Sequence, residues 1–424
     1  MQQQDWQPTR LSTASWAVYD LANTIFALGV GSLFFAVWLN DNRSGIPSLL
    51  LRNDTPDLAL AVTVDVAMVI VIVLGPWIGA RSDHGGRRRR YLIPMTLLCV
   101  VPTFFLASGS VASSLVLYAV ALVGFNLGGI VYDAMLPDVS TPDTIGRVSG
   151  IGIGVGYLGS FVAVAVGAVV LDAHGHAGVF KVIAVLFLAF AVPAFTLVRE
   201  RPRPVSAGPP PALRASLRRL RDAWVDATGY PGVTRFLVGR FFYTDAVNTL
   251  IAGYLTIYAQ EDLGFTSDEV QALLGVAIVG AIVGGLGGGW LVDRVGPRRL
   301  LHGVLYVWMV AFVLGIAAGS AGAKALGWPL GTLGGLALGG LWAADRVYMA
   351  RISPPARLGE FYGLYATVGR FATILGPLLF GLIVSVLGFP REIALGALLV
   401  FIVISRVVLQ GVDDSPRAWA DEDR

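Results

Sequence analysis

Long apolar runs separated by short polar breaks occupy most of the chain. Runs of about 17–25 residues are the length a helix needs to cross a hydrocarbon core some 30 Å thick. Twelve segments meet that requirement: 11–39, 58–80, 91–109, 114–135, 149–171, 179–198, 236–258, 269–291, 300–319, 330–349, 360–387 and 391–409. The pattern predicts an all-α membrane protein with twelve transmembrane helices. Arginine in short loops stays on the cytoplasmic side. It gathers after the second segment (Arg81, Arg87 to Arg90), the sixth (Arg199 to Arg221), the eighth (Arg294, Arg298, Arg299) and the tenth (Arg351, Arg357). The odd loops are neutral or acidic, as at Glu261, Asp262, Asp268 and Glu269. Both termini are therefore expected in the cytoplasm.

The polar residues inside the apolar runs repeat. Asp20-Leu-Ala-Asn23-Thr24-Ile-Phe-Ala27 returns as Asp245-Ala-Val-Asn248-Thr249-Leu-Ile-Ala252, each copy ten residues after an arginine (Arg10, Arg235). Gly79-x-x-x-Asp83-x-x-Gly86-Arg87-Arg88 returns as Gly289-x-x-x-Asp293-Arg294-x-Gly296-x-Arg298-Arg299, and Gly150 and Gly156 match Gly363 and Gly369. Three landmarks in one order indicate a parallel duplication of six helices plus six. The domain division that follows is 1–198 and 235–410 as two six-helix bundles, 199–234 as a cytoplasmic linker and 411–424 as a cytoplasmic tail. In the linker, Arg201-Pro-Arg-Pro204 and Pro209-Pro-Pro211 disfavour helix. The arginine-flanked Leu213-x-x-x-Leu217-x-x-Leu220 that follows suits a short basic helix on the inner leaflet or a solvated connection.

Composition agrees with a bilayer protein: 55% of the 424 residues are hydrophobic and 14% charged, with a mean hydropathy of +0.70, whereas soluble domains carry about 25% charged residues. A net charge of +3 on so apolar a chain leaves no room for a nucleic-acid groove. Cys99 is the single cysteine, which excludes an intramolecular disulfide or a cysteine metal cluster. The four histidines, His84, His174, His176 and His302, lack metal-ligand spacing. No metal or other cofactor is expected, and no clustered acid, histidine or cysteine motif points to an enzyme. A sensor would need a soluble output domain, for which no segment is long enough.

At the two Gly-x-x-x-Asp-x-x-Gly loops the chain resembles the major facilitator superfamily. More narrowly, Trp16-Ala-Val-Tyr19-Asp20-Leu-Ala-Asn23, Leu136-Pro-Asp-x-x-Thr-Pro, Gly146-Arg147-Val-Ser-Gly150, Arg240-Phe-Phe-Tyr-x-Asp245 and Gly376-Pro-Leu-Leu-Phe-Gly381 look like the autophagy-related vacuolar amino-acid effluxer branch and its bacterial relatives. The resemblance implies the major facilitator fold, a cavity between the bundles, alternating access, an amino acid or similar small solute, and placement in a bacterial inner membrane. A monomer is expected. The chain departs from that branch at Asp65 in the second segment and at Asp345-Arg346 at the end of the tenth.

An acid at the centre of a spanning helix costs at least roughly 2.5 kcal/mol and faces a bundle interior or water. Ten residues of helix carry Asp20 and Asp245 about 15 Å beyond their arginines, near the midplane. Three roles are open to these acids: proton carrier, contact for a substrate ammonium, or helix-packing network with Asn23 and Asn248 one turn away. Arg370, equally deep, either grips a substrate carboxylate or pairs with Asp245 or Asp65. Asp65, Asn126 and Tyr157 complete the candidate solute or proton site, with sodium in place of the proton as a further option.

The candidate gate comprises Asp83, Arg87, Arg88, Asp293, Arg294, Arg298, Asp133 and Arg346. Asp83 and Asp293 suit acceptance from a neighbouring helix N-terminus or pairing with Arg88 and Arg298; the same arginines also anchor topology. Gly150 to Gly159 and Gly280 to Gly289 offer small surfaces for close helix contact. The expected activity is secondary transport of a small polar solute as proton-coupled efflux, with a multidrug or organic-ion exporter as the alternative.

Overall fold

The computed structural model describes residues 6–47, 57–84, 87–201, 230, 232–251, 255–373, 375–415 and 419. Every regular element among them is helical. The first half carries α1 (Arg10–Phe26), α2 (Phe35–Asp41), α3 (Asp57–His84), α4 (Arg89–Phe105), α5 (Val111–Ala134) and α6 (Ile145–Leu197). The second carries α7 (Val233–Thr249), α8 (Leu255–Glu261), α9 (Ser267–Val295), α10 (Pro297–Ser320), α11 (Gly327–Ile352), α12 (Leu358–Phe371), α13 (Leu375–Gly381) and α14 (Arg391–Leu409). The linker sequence from Leu213 to Leu220 lies outside the described residues, as do Gly86 and Ala252 of the repeated motifs.

Eight helices among the described residues are long and apolar enough to cross a membrane, against the twelve segments read from the sequence. Four local features account for the difference. α4 has 17 residues. α6 runs for 53 residues because two helices join at Gly175, whose φ of 61° and ψ of −173° turn the chain. α7 stops at Thr249 and α8 starts at Leu255. α11 is diluted by glycine and by Asp345, Arg346 and Arg351.

The chain divides into two compact units. Unit 1 is Met1–Pro142, Val155–Arg218 and Arg357–Gly363; unit 2 is Asp143–Gly154, Arg219–Ala356 and Leu364–Arg424. The start of α6 therefore belongs to unit 2, and the start of α12 to unit 1.

In unit 1, the Thr9 side chain accepts the Ser12 N–H at 3.2 Å and starts α1. The buried face of α1 carries Trp16, stacked on Tyr132 at 4.5 Å, and Tyr19, whose hydroxyl meets Thr96 Oγ1 at 2.7 Å. Beyond the repeated Asp-x-x-Asn-Thr motif, α1 widens into a π-helical stretch, Ala27–Phe34, before α2, a distortion frequent at functional sites. α5 packs on α3 and α4. Gly124 allows the approach to α4, since a Cβ there would lie 2.6 Å from the Leu98 carbonyl carbon.

In unit 2, α9 opens with a reciprocal cap between Thr266 and Glu269 and packs along α11. The glycine stripe of α9 serves two neighbours. A Cβ on Gly280 would lie 3.0 Å from Leu336 N of α11, and one on Gly288 would lie 3.0 Å from Gly340 Cα, whereas Gly289 faces α6. Small residues of this kind let backbones touch where lipid offers no hydrophobic drive between helices.

Candidate functional site

Two aspartates at the ends of long helices each hold the first turn of another helix. In unit 1, Asp83 closes α3. Its Oδ2 accepts the Glu360 N–H at the start of α12 at 3.1 Å, and its Oδ1 accepts Arg88 Nη2 at 2.5 Å and Nε at 3.2 Å. Arg88 is fully buried and also donates to the Ala134 carbonyl, with Asp138 at 3.9 Å. Burial works against the charged guanidinium, yet Asp83 and then Asp138 outweigh it and raise the Arg88 pKa above its ordinary value.

In unit 2, Asp293 near the end of α9 accepts the Gly146 N–H at 2.6 Å on Oδ1 and the Arg147 N–H at 2.9 Å on Oδ2, both at the start of α6. The first N–H groups of a helix have no partner within it and sit at the positive end of its dipole, so a carboxylate there makes charge-assisted bonds.

Glycines bring these helices within reach. A Cβ on Gly359 would lie 2.6 Å from the Gly79 carbonyl, and one on Gly363 would lie 2.7 Å from Pro76 Cα. In unit 2 the equivalent positions are Gly146, 2.6 Å from the Gly289 carbonyl, and Gly150, 2.7 Å from Gly289 Cα. Backbone meets backbone at both places, and no side chain fits between.

The two copies differ in their arginines. Asp83 takes Arg88, five residues on, as the sequence suggested. Asp293 does not take Arg298; its partner is Arg147 Nε at 3.1 Å. The Arg298 side chain instead donates to the Gln410 carbonyl at 2.7 Å. Arg294 stacks its guanidinium over Trp290 at 3.6 Å, and Arg87 is exposed. Arg346, buried in α11, donates to Ser149 Oγ at 2.7 Å and to the Ser149 carbonyl at 2.5 Å, a second tie to the start of α6. Asp133 is half-buried at the end of α5.

The two acids of the repeated motif occupy unequal settings. Asp245 is fully buried. Its Oδ2 accepts the Gly376 N–H at 2.8 Å, a donor available because the helix breaks between α12 and α13. Among the described residues, Asp245 Oδ1 and Thr249 Oγ1 are buried without a hydrogen-bond partner, and both border Gly376. Asp20 is half-buried, and a Cβ on Gly156 would lie 3.4 Å from its Cγ. Asn23, Asn248, Tyr157 and Arg370 are half-buried, and Asp65 is exposed. Asn126 is buried, with Nδ2 on the Leu122 carbonyl at 2.7 Å.

A cluster that the sequence did not bring together lies within unit 2. Arg240 Nε donates to Asp345 Oδ2 at 3.2 Å, and Tyr365 donates to the same oxygen at 2.7 Å. Tyr243 donates to Asp345 Oδ1, and the Arg240 guanidinium lies 3.5 Å over the Tyr365 ring. Arg240 is thus buried against α11 and α12. Its signal in the sequence was a charge in α7 and an opposite charge in α11, with nothing to say that the two helices face each other.

This arrangement of long apolar helices, embedded acids and duplicated capped loops is that of a major facilitator transporter. The chain belongs to the family described as "Vacuole effluxer Atg22 like", which matches residues 58–418. It is 28% identical over 412 residues to the MFS-type transporter YxiO of Bacillus subtilis (strain 168), covering 94% of each chain. It is 23% identical over 451 residues to autophagy-related protein 22 of Coccidioides immitis (strain RS), covering 84% of this chain and 72% of the other. In fold it is similar to the human organic anion transporter MFSD10, with a TM-score of 0.76 at 15% identity over 95% of this chain and 100% of the other. The proton:xylose symporter XylE gives a TM-score of 0.70 at 13% identity over 94% and 95%. The family and these relatives are transporters, not enzymes, and the protein is an integral membrane protein.

Proposed function

We propose that the protein moves a small polar solute, an amino acid or similar zwitterion, out of the cytoplasm by alternating access between two six-helix bundles, with a proton as the coupled ion. The observation that carries the coupling is Asp245: a buried carboxylate with one oxygen held by the Gly376 N–H and the other without a partner among the described residues. A proton on Oδ1 removes the buried charge, and its loss leaves a carboxylate whose one hydrogen-bond donor among the described residues is a backbone N–H. Protonation therefore acts on the packing of α7 against α13. The two states respond only through their different affinity for the proton.

Support for alternating access comes from the Asp83 and Asp293 caps. Each is a small set of charge-assisted bonds to a helix start, strong enough to hold one state and few enough to release together. Arg370 supplies a cation for the solute carboxylate. On this reading the chain crosses a bacterial inner membrane twelve times with both termini inside. An organic anion is the alternative cargo, since a guanidinium recognises either class.

The test is solute-evoked proton flux in proteoliposomes carrying a pH-sensitive dye inside, challenged with pools of amino acids and, separately, with organic anions. Proton movement evoked by one amino-acid pool supports the proposal. A response confined to organic anions replaces the cargo, and a solute uptake that moves no protons removes the coupling.

A further inference from the structure

The segment after α14 folds back onto the turn between α9 and α10, just beyond Asp293. Asp414 Oδ2 accepts the Arg298 N–H at 3.1 Å, which caps α10, and the Arg298 Nη2 donates to the Gln410 carbonyl at 2.7 Å. Tyr348, fully buried, donates to the Val412 carbonyl at 2.9 Å, and Val412 is itself fully buried. Gly296, with φ at 86°, is the residue the segment crosses: a Cβ there would lie 2.8 Å from Asp414 Oδ2. The contact is built from backbone, side chain and a buried apolar anchor together.

The duplication shows what this contact prevents. Arg88 and Arg298 both stand five residues after the loop aspartate of their half. Arg88 pairs with Asp83, and the same carboxylate holds the Glu360 amide of α12. Arg298 is occupied by the tail, and Asp293 holds two amides of α6. We infer that residues Gln410–Asp414 are a latch that withholds Arg298 from Asp293 and so keeps the cap on α6 at full strength. Release of the tail frees Arg298 to pair with Asp293 in the manner of Arg88 with Asp83. One of the two amide bonds to α6 is then given up. The inference rests on Asp293 as the holder of the α6 start, and its regulatory meaning rests on the gating role proposed above.

Hydrogen–deuterium exchange of peptides spanning residues 144–148 reads the cap directly, without transport. In full-length Asp414→Asn, exchange at Gly146 and Arg147 should rise about tenfold, the loss expected for one hydrogen bond to a charged group. Arg298→Gln alone should leave that exchange unchanged, because glutamine brings no competing cation. The double variant should return to the wild-type rate. Val412→Ala, which loosens the tail without touching a charge, repeats the comparison with an expected rise of about threefold and secures the test should Asp414→Asn not fold. Wild-type exchange in both tail variants would overturn the latch. So would a double variant exchanging as fast as Asp414→Asn. A latch that fails in this way leaves the gating proposal intact, because that proposal is read by flux.

Discussion

Asp83→Asn and Asp293→Asn remove the same charge from two copies of one motif, and the structure predicts that they will differ. The Arg88 side chain is 0% exposed, so neutralising Asp83 strands a buried guanidinium. Breaking a buried pair from one side costs about 3–5 kcal/mol. The Ala134 carbonyl and Asp138 keep part of the compensation, which places the loss near 3 kcal/mol. For units of this size that corresponds to a fall in Tm of roughly 6–12 °C.

The Arg147 side chain is 54% exposed, and an exposed pair contributes about 0–1 kcal/mol. Asparagine at position 293 keeps one acceptor for the two α6 amides. The loss is one charge-assisted bond, about 2 kcal/mol, met largely by fraying of the first turn of α6. Asp293→Asn should therefore lower Tm by about two thirds as much as Asp83→Asn, or less where fraying absorbs the loss, while raising exchange at Gly146 and Arg147 more. Thermal unfolding of both variants in one detergent, followed by hydrogen–deuterium exchange, measures the difference. Equal falls in Tm would refute the assignment of Arg88 as a buried partner and Arg147 as a screened one.

Gly150→Val should disrupt the meeting of α6 with α9, because its side chain would start 2.7 Å from Gly289 Cα. Overpacking of this kind costs about 1–3 kcal/mol, and solute flux should fall at least tenfold, read against wild type at matched reconstitution. Arg240→Met should destabilise by about 3–5 kcal/mol by leaving Asp345 buried without its cation, and adding Asp345→Leu should recover most of that loss in a thermal shift assay. A double variant no more stable than Arg240→Met would show that the cluster holds its helices through the tyrosines instead.

The helical class, the order of apolar segments and the duplicated loops were legible because each depends on spacing along the chain. Asp83 and Asp293 were readable as acceptors for a helix start because a carboxylate beside a tight glycine turn has few other uses. The helices they reach were not readable. Neither was the exchange of Arg298 for Arg147, since both residues lie near positive loops and only the fold shows which guanidinium the tail occupies. The Arg240–Asp345 cluster was hidden for the same reason: helical periodicity tells which residues share a face, not which helix stands opposite. The break after α12 that exposes the Gly376 N–H to Asp245 leaves one cue in the sequence, Gly376-Pro-Leu-Leu, which marks the family resemblance without disclosing the geometry. The shared Asp-x-x-Asn-Thr motif suggested like roles for Asp20 and Asp245, but their neighbours, Gly156 and Gly376, stand at non-equivalent positions of the repeat.

The most direct test of proton coupling at Asp245 is to compare Asp245→Asn with wild type in the same proteoliposomes for two activities: solute-evoked proton flux, and exchange of labelled for unlabelled solute across the membrane. Asparagine retains an acceptor for the Gly376 N–H but carries no proton. The account predicts that exchange persists within about threefold while proton flux falls at least tenfold. Proton flux that survives in Asp245→Asn at the wild-type ratio to solute would contradict it and assign the proton to another group.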